Sequence, residues 1–159
     1  MSGERLHVVA PGRRRDAYLP LLRLADDSAD QIRGYYQQGD LYVLDAADDV
    51  PLGVVLAIAQ GDGATELKAV AVEATRQGRG IGRRLLATVL ADLRARGVRS
   101  VVVGTASAGV GELAFYQKSG FRLRDIERDY FTPARGYPDD LQDDGIPVRD
   151  MVWMDQRLD

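Results

Sequence analysis

The sequence predicts a mixed α/β sandwich: one twisted sheet of about six to seven strands with helices on both faces. Three observations predict it. Short apolar runs bounded by turn residues alternate with stretches of helical apolar spacing. The order is strand, two helices, three strands, helix, strand, helix, two strands, which is not a repeated βαβ pattern. A glycine- and arginine-rich segment, "RQGRGIGRRLL", joins the fourth strand to the longest helix.

Taken in order, "RLHVVAP" is a short first strand. "RRRDAYLPLLRLADD" has helical spacing, and Pro20 either kinks it or marks its true start. "SADQIRGYYQQGD" is a second helix, with Ser28 as N-cap and Gly39 closing it. "LYVLDAADDVPLGVVLAIAQGDGATELKAVAV" divides into three strands at the turn-rich breaks "DAADDVP" and "GDGA". Leu85, Leu86, Val89, Leu90 and Leu93 then share one side of a helix that Gly97 ends. "SVVVGTA" has the composition of a strand buried on both faces. "VGELAFYQKSG" is a short helix stopped by Gly120, and "FRLRDIERDYF" and "VRDMVWMDQRL" are closing strands around a loop rich in Asp, Gly and Pro.

Composition narrows the chemistry. A chain of 159 residues suits one domain with a full core, expected over 1–159. No apolar run approaches the ~20 residues of a membrane helix, and the start lacks a signal-peptide core, so no membrane role and a cytoplasmic location are expected. The chain has no cysteine and one histidine, which excludes thiolate nucleophiles and a histidine-rich metal site and disfavours a Ser/His/Asp triad; no metal is expected. A net charge of −3 disfavours nucleic acid as the main partner.

The glycine segment is the local exception. Main-chain N–H groups at a helix N-terminus are unpaired and partly positive, and glycines let a phosphate approach them. Arg76, Arg79, Arg83 and Arg84 add full charges, so the segment suits a pyrophosphate; glycine count alone favours a flexible turn with a solvated arginine face. A Walker loop needs Gly-Lys-Ser/Thr and a Rossmann loop needs G-x-G-x-x-G; "GRGIG" is neither.

"VAVEATRQGRGIGRRLL" resembles the acetyl-CoA motif Q/R-x-x-G-x-G/A of the GNAT N-acetyltransferases, with Gln77, Gly80 and Gly82 in register. "LAFYQKSGFR" resembles the helix and turn that follow in that family, with Phe115, Tyr116, Gly120 and Phe121 in place. The resemblance implies that the amides of Gly78, Arg79, Gly80, Ile81, Gly82 and Arg83 hold the diphosphate of acetyl-CoA. It implies that the pantetheine arm pairs like an extra strand with Val70, Ala71 and Val72, where strands four and five splay. A main-chain N–H there would polarise the thioester carbonyl.

Tyr116 matches the family's frequent general acid, since a phenol of pKa ~10 is protonated at neutral pH; on spacing alone it fits equally a core residue beside Phe115 and Phe121. Glu66 opens the fourth strand, where similar enzymes often carry a carboxylate that acts as base through water; it also sits two residues from Lys68 on one face and could simply pair with it. Glu73 lies nearer the cofactor turn, and His7 reads as packed or exposed. The family's frequent asparagine seven residues before the tyrosine is replaced by Gly109, which leaves Ser107 to take the polar role.

The implied reaction is acetyl transfer to a primary amine, of a small molecule or a peptide N-terminus, by direct attack in a ternary complex. The alternative is a non-catalytic acyl-CoA-binding or regulatory module on the same fold. The acceptor is expected over the first two helices and the last loop. Both are rich in aspartate, and the loop adds Tyr130, Phe131 and Tyr137, which suits a cationic amine; a solvated acidic loop accounts for the same residues. Homodimers formed by pairing strands or packing the C-terminal segment are common in similar proteins, and "VRDMVWMDQRL" could contribute to one.

Overall fold

The computed structural model describes residues 3–159. Its main sheet contains β1 (Arg5–Val9), β2 (Asp40–Asp45), β3 (Pro51–Ala59), β4 (Ala64–Val72), β5 (Ser100–Ala106), β6 (Arg122–Glu127) and, after a short hairpin of β7 (Gln142–Asp143) and β8 (Ile146–Pro147), β9 (Met151–Arg157). The strand order is β1-β2-β3-β4-β5-β9-β6, and β4–β5 is the parallel pair. The hairpin lies within the Asp/Gly/Pro-rich loop, where the sequence predicted no strand.

Helices cover both faces. α1 (Leu19–Ala25) and α2 (Ala29–Tyr35) pack Leu21, Leu22, Ile32 and Tyr35 against Leu41, Val43, Val54, Leu56, Ala69 and Ala71. α3 (Ile81–Ala95) and α4 (Val110–Lys118) cover the other face, where the stripe Leu85, Leu86, Val89, Leu90 and Leu93 meets Tyr42, Val55, Leu67, Val101 and Met154. Each such side chain removed from water contributes about 1.5–3 kcal/mol. Among the described residues no helix is long and apolar enough to cross a membrane.

The details sort the expectations. Pro20 marks a true start: a 3₁₀ turn over Arg13–Tyr18 precedes α1, with the proline in its first turn. Ser28 caps α2, its hydroxyl accepting from the Gln31 N–H at 3.2 Å. Gly39 does not close that helix, which ends at Tyr35. It leads into β2, where a Cβ would fall 2.2 Å from the Ala57 carbonyl oxygen. β5 is not buried on both faces throughout: Val101 and Val103 are buried, while Val102 and residues 104–106 are half-buried.

Arg15, read from the sequence as one of three basic helix residues, is fully buried. Its guanidinium donates to the carbonyl oxygens of Val9, Tyr36, Gln38 and Gly39 at 3.0, 2.9, 2.7 and 2.6 Å. It thereby satisfies carbonyls left open beyond the end of α2 and ties β1 to the entry of β2.

Arg15→Lys keeps the charge and loses the planar fork; a loss of about 3 kcal/mol in urea unfolding is expected. Leu86→Ala, at a fully buried position of α3, is expected to cost about 2–5 kcal/mol in the same assay.

Candidate active site

β4 and β5 pair only from Ala64–Ser100 to Leu67–Val103. Beyond that point each strand keeps its outer partner: Val70, Ala71 and Val72 pair with Val55, Val54 and Gly53 of β3, and Gly104, Thr105 and Ala106 pair with Trp153, Val152 and Met151 of β9. Their inner edges part. The break coincides with a bulge: Leu56 faces Ala69 and Ala57 faces Leu67, so Lys68 is the extra residue of β4. A bulge bends and twists its strand, and this one turns β4 away where its pairing with β5 stops. On β5, Gly104 lets Trp153 lie across the strand; a Cβ there would come within 2.7 Å of the indole.

The parting opens a cleft of about 380 Å³. Its walls include Glu66, Leu67, Lys68, Ala69 and Val70 of β4, Gly104, Thr105 and Ala106 of β5, Gly109, Glu112 and Tyr116 at α4, and Asp26 and Asp27 after α1. Tyr130, Phe131, Tyr137, Gln142 and Asp143 of the last loop close it.

Tyr116 is 7 % exposed, wedged edge-on between Phe115 and Phe121 at centroid distances of 5.1 and 5.7 Å. It packs in the core and also lines the cleft. Its hydroxyl has no hydrogen-bond partner among the described residues. Burial, with the Glu112 carboxylate one turn earlier as a lesser cause, pushes its pKa well above the ordinary phenol value. Glu66 and Lys68 form the predicted pair at 3.7 Å, both side chains largely buried and both lining the cleft.

At the far end of β4, the side-chain amide of the exposed Gln77 donates to the Val72 carbonyl at 3.1 Å, pinning the loop to the strand. Glu73 accepts from the Thr75 N–H at 3.0 Å and so caps the 3₁₀ turn Ala74–Arg76. Gly80, the residue before α3, is left-handed at φ 77°, and Gly78 has φ 78°. From Gln77 to Arg83 no main-chain N–H finds an acceptor among the described residues; the first to do so is Arg84, donating to the Gly80 carbonyl at 3.2 Å. Arg76, Arg79 and Arg83 have no carboxylate partner among the described residues, whereas Arg84 turns away to Glu4 at 3.1 Å and adds no free charge to the loop.

Ser107 is half-buried, and its N–H donates to the Asp150 carbonyl at 2.9 Å; Gly109 and Glu112, rather than Ser107, are in the cleft wall. Sequence reasoning passed over Glu112, although its i,i+4 spacing to Tyr116 places both on one face of α4. It also passed over Asp26, which accepts from the Tyr35 hydroxyl at 2.9 Å, the Tyr137 hydroxyl at 2.8 Å and the Ser28 N–H at 3.0 Å. Tyr137 lies 111 residues away, and no local pattern signals that contact. Burial and Asp26 together raise the pKa of both tyrosines. The Tyr130 face is taken by Arg135 at 4.1 Å. Burial, then Asp26 and Asp143, raise the Asp27 pKa. His7 is half-buried on β1, with Nε2 2.7 Å from the Asp45 carboxylate.

The chain matches the model of the acetyltransferase (GNAT) family over residues 13–121. It is 30 % identical over 152 residues, 96 % of each chain, to the uncharacterized N-acetyltransferase YvbK of Bacillus subtilis (strain 168). Its fold is similar to that of the IAA acetyltransferase from Bacillus cereus ATCC 14579, with TM-score 0.85, 32 % identity and coverage of 97 % of this chain and 99 % of that one. It is also similar to a GNAT family acetyltransferase from Elizabethkingia anophelis with acetyl-CoA bound, with TM-score 0.87, 29 % identity and 99 % coverage of both chains. A match over two thirds of the sequence, a relative aligned nearly end to end and the splayed sheet agree: the chain belongs to the GNAT family of N-acetyltransferases.

Proposed function

We propose that the protein transfers the acetyl group of acetyl-CoA to a primary amine of a cationic acceptor, by direct attack while both are bound. The observation that carries this reading is the run of unsatisfied main-chain N–H groups from Gln77 to Arg83 at the head of α3. An unsatisfied run of that length suits an acceptor-rich anion, and a diphosphate supplies the oxygens. The surroundings fit one: a Cβ built on Gly78 meets nothing within 4 Å, and Arg76, Arg79 and Arg83, without a carboxylate partner among the described residues, supply charge.

Val70, Ala71 and Val72 offer a strand edge to the amides of the pantetheine arm, and one N–H on it polarises the acyl carbonyl. When bound, acetyl-CoA supplies an acetyl group activated as a thioester. Tyr116 keeps its hydroxyl proton, because burial raises its pKa, and donates it to the departing sulfur. Glu66 takes the proton that the acceptor ammonium must lose, since an amine of pKa ~10.4 is mostly charged at neutral pH. The chain has no cysteine to carry the acetyl group, which favours one-step transfer.

The acceptor side carries Asp26, Asp27, Glu66, Glu112 and Asp143 against one cation, Lys68. Carboxylates in a low-dielectric cleft concentrate cations, and this excess supports a polyamine, an aminoglycoside or a basic peptide N-terminus over a neutral amine.

Gly80→Val places a β-branched residue at φ 77° and is expected to weaken coenzyme A binding at least about tenfold by calorimetry, since left-handed backbone costs about 1–2 kcal/mol. Tyr116→Phe is expected to lower kcat about 10²- to 10⁴-fold while leaving coenzyme A affinity unchanged. Binding without thiol release in the wild type would instead indicate a binding module. Because the acid must be protonated and its pKa lies above the ordinary ~10, the kcat profile should show no falling limb below about pH 10. Spermidine should exceed an uncharged amine in kcat/KM, and added salt should narrow that advantage; equal, salt-independent turnover would overturn the cationic acceptor.

A further inference from the structure

We propose that Lys68 is itself an acetyl acceptor, so that the protein modifies its own cleft from the acetyl-CoA it binds; this rests on the reading above. Lys68 is the bulge residue of β4, one residue past the last β4–β5 pair and two before Val70. In a strand that separation is about 6.6 Å, within the reach of a lysine side chain. The side chain is 22 % exposed and lines the same cleft as Tyr116. Its Nζ lies 3.7 Å from the Glu66 carboxylate and 5.1 Å from the Tyr35 ring centre. A carboxylate and an aromatic face are the two kinds of group that would seat an external ammonium. The cleft therefore already holds an amine in the manner expected of its acceptor, beside the base assigned to that acceptor.

Composition isolates the site. The chain has 21 basic residues, of which Lys68 and Lys118 alone are lysines. Arginine stays protonated and cannot attack a thioester. Lys118 is exposed at the end of α4, outside the cleft.

In the reaction, Glu66 takes one proton from the Lys68 ammonium and passes it to solvent. Nζ forms a bond to the acetyl carbonyl carbon, and the carbon–sulfur bond breaks with its electron pair on sulfur. Tyr116 protonates the sulfur and recovers its proton from the new amide nitrogen. The products are acetyl-lysine, the coenzyme A thiol and one proton. The step removes the one cation among the cleft residues and frees Glu66 from its ion pair.

The full chain is incubated with acetyl-CoA without added amine, followed by intact mass and peptide mapping. One acetyl group is expected, on Lys68, at a rate independent of protein concentration and at least about tenfold above that at Lys118. Tyr116→Phe should slow it about a hundredfold, and Lys118→Arg should leave it unchanged. A second readout needs no turnover: with both lysines carrying ¹³C-methyl groups, coenzyme A should shift the Lys68 NMR signal and not that of Lys118. Equal labelling of the two lysines, a rate proportional to protein concentration, or an unmoved Lys68 signal in a sample that binds coenzyme A would overturn the proposal. So would spermidine turnover with Lys68 unlabelled, and that result would leave the acetyltransferase reading standing. Absence of coenzyme A binding by calorimetry would remove both.

Discussion

Neighbouring strands satisfy their facing N–H and C=O groups on each other, and β4 and β5 stop doing so after Leu67 and Val103. Almost every feature of the site follows from that parting. The two strands can diverge only because each keeps a full partner on its other edge, β3 for β4 and β9 for β5. The sheet pays locally with an inner edge open to the cleft. The Lys68 bulge and the Trp153–Gly104 contact sit at the two sides of the fork. Neither is an ornament of the sheet: one bends β4 away, and the other fills the space beside β5.

The charges are segregated to match. The arginine-rich turn lies at the end of β4 and the head of α3, whereas the carboxylates lie where α1, β4 and the last loop meet. An acidic chain therefore carries both a locally basic turn and a cleft lined mostly by carboxylates among its charged residues. Net charge reports neither, because it averages two regions that the fold keeps apart. Arg84 illustrates the sorting: one residue beyond the unsatisfied amides, it pairs with Glu4, while Arg76, Arg79 and Arg83 have no carboxylate partner among the described residues.

Two polar nodes hold the α1/α2 side in shape. Arg15 gathers carbonyls from β1 and from the segment between α2 and β2. Asp26 gathers two tyrosine hydroxyls, one from α2 and one from the last loop, while Ser28 and Gln31 hold the Arg135 carbonyl at 3.0 and 3.3 Å. Buried donors and acceptors that leave water must find partners, and these contacts fix how the last loop closes over the helices. The aromatic residues of that loop are thus already engaged: Tyr137 on Asp26, Tyr130 beneath Arg135, and Phe131 edge-on to Tyr137 at 4.9 Å. The rings thus build the wall of the cleft, and the Tyr130 face already holds a cation of the chain itself.

The element order, the α3 stripe, the Ser28 cap and the glycine turn were legible in the sequence, because each rests on local forces: apolar periodicity, a side-chain oxygen three residues from its N–H, and a backbone that only glycine enters cheaply. Tyr116 and Glu66 were singled out through the family resemblance, and both line the cleft. What the chain could not show by itself was decided by contacts between residues far apart. The bulge at Lys68 depends on register with β3, the role of Arg15 on carbonyls up to 24 residues away, and the closure of the cleft on Asp26 meeting Tyr137. Strand register and buried hydrogen bonds are properties of two segments at once, so no single segment carries their signal.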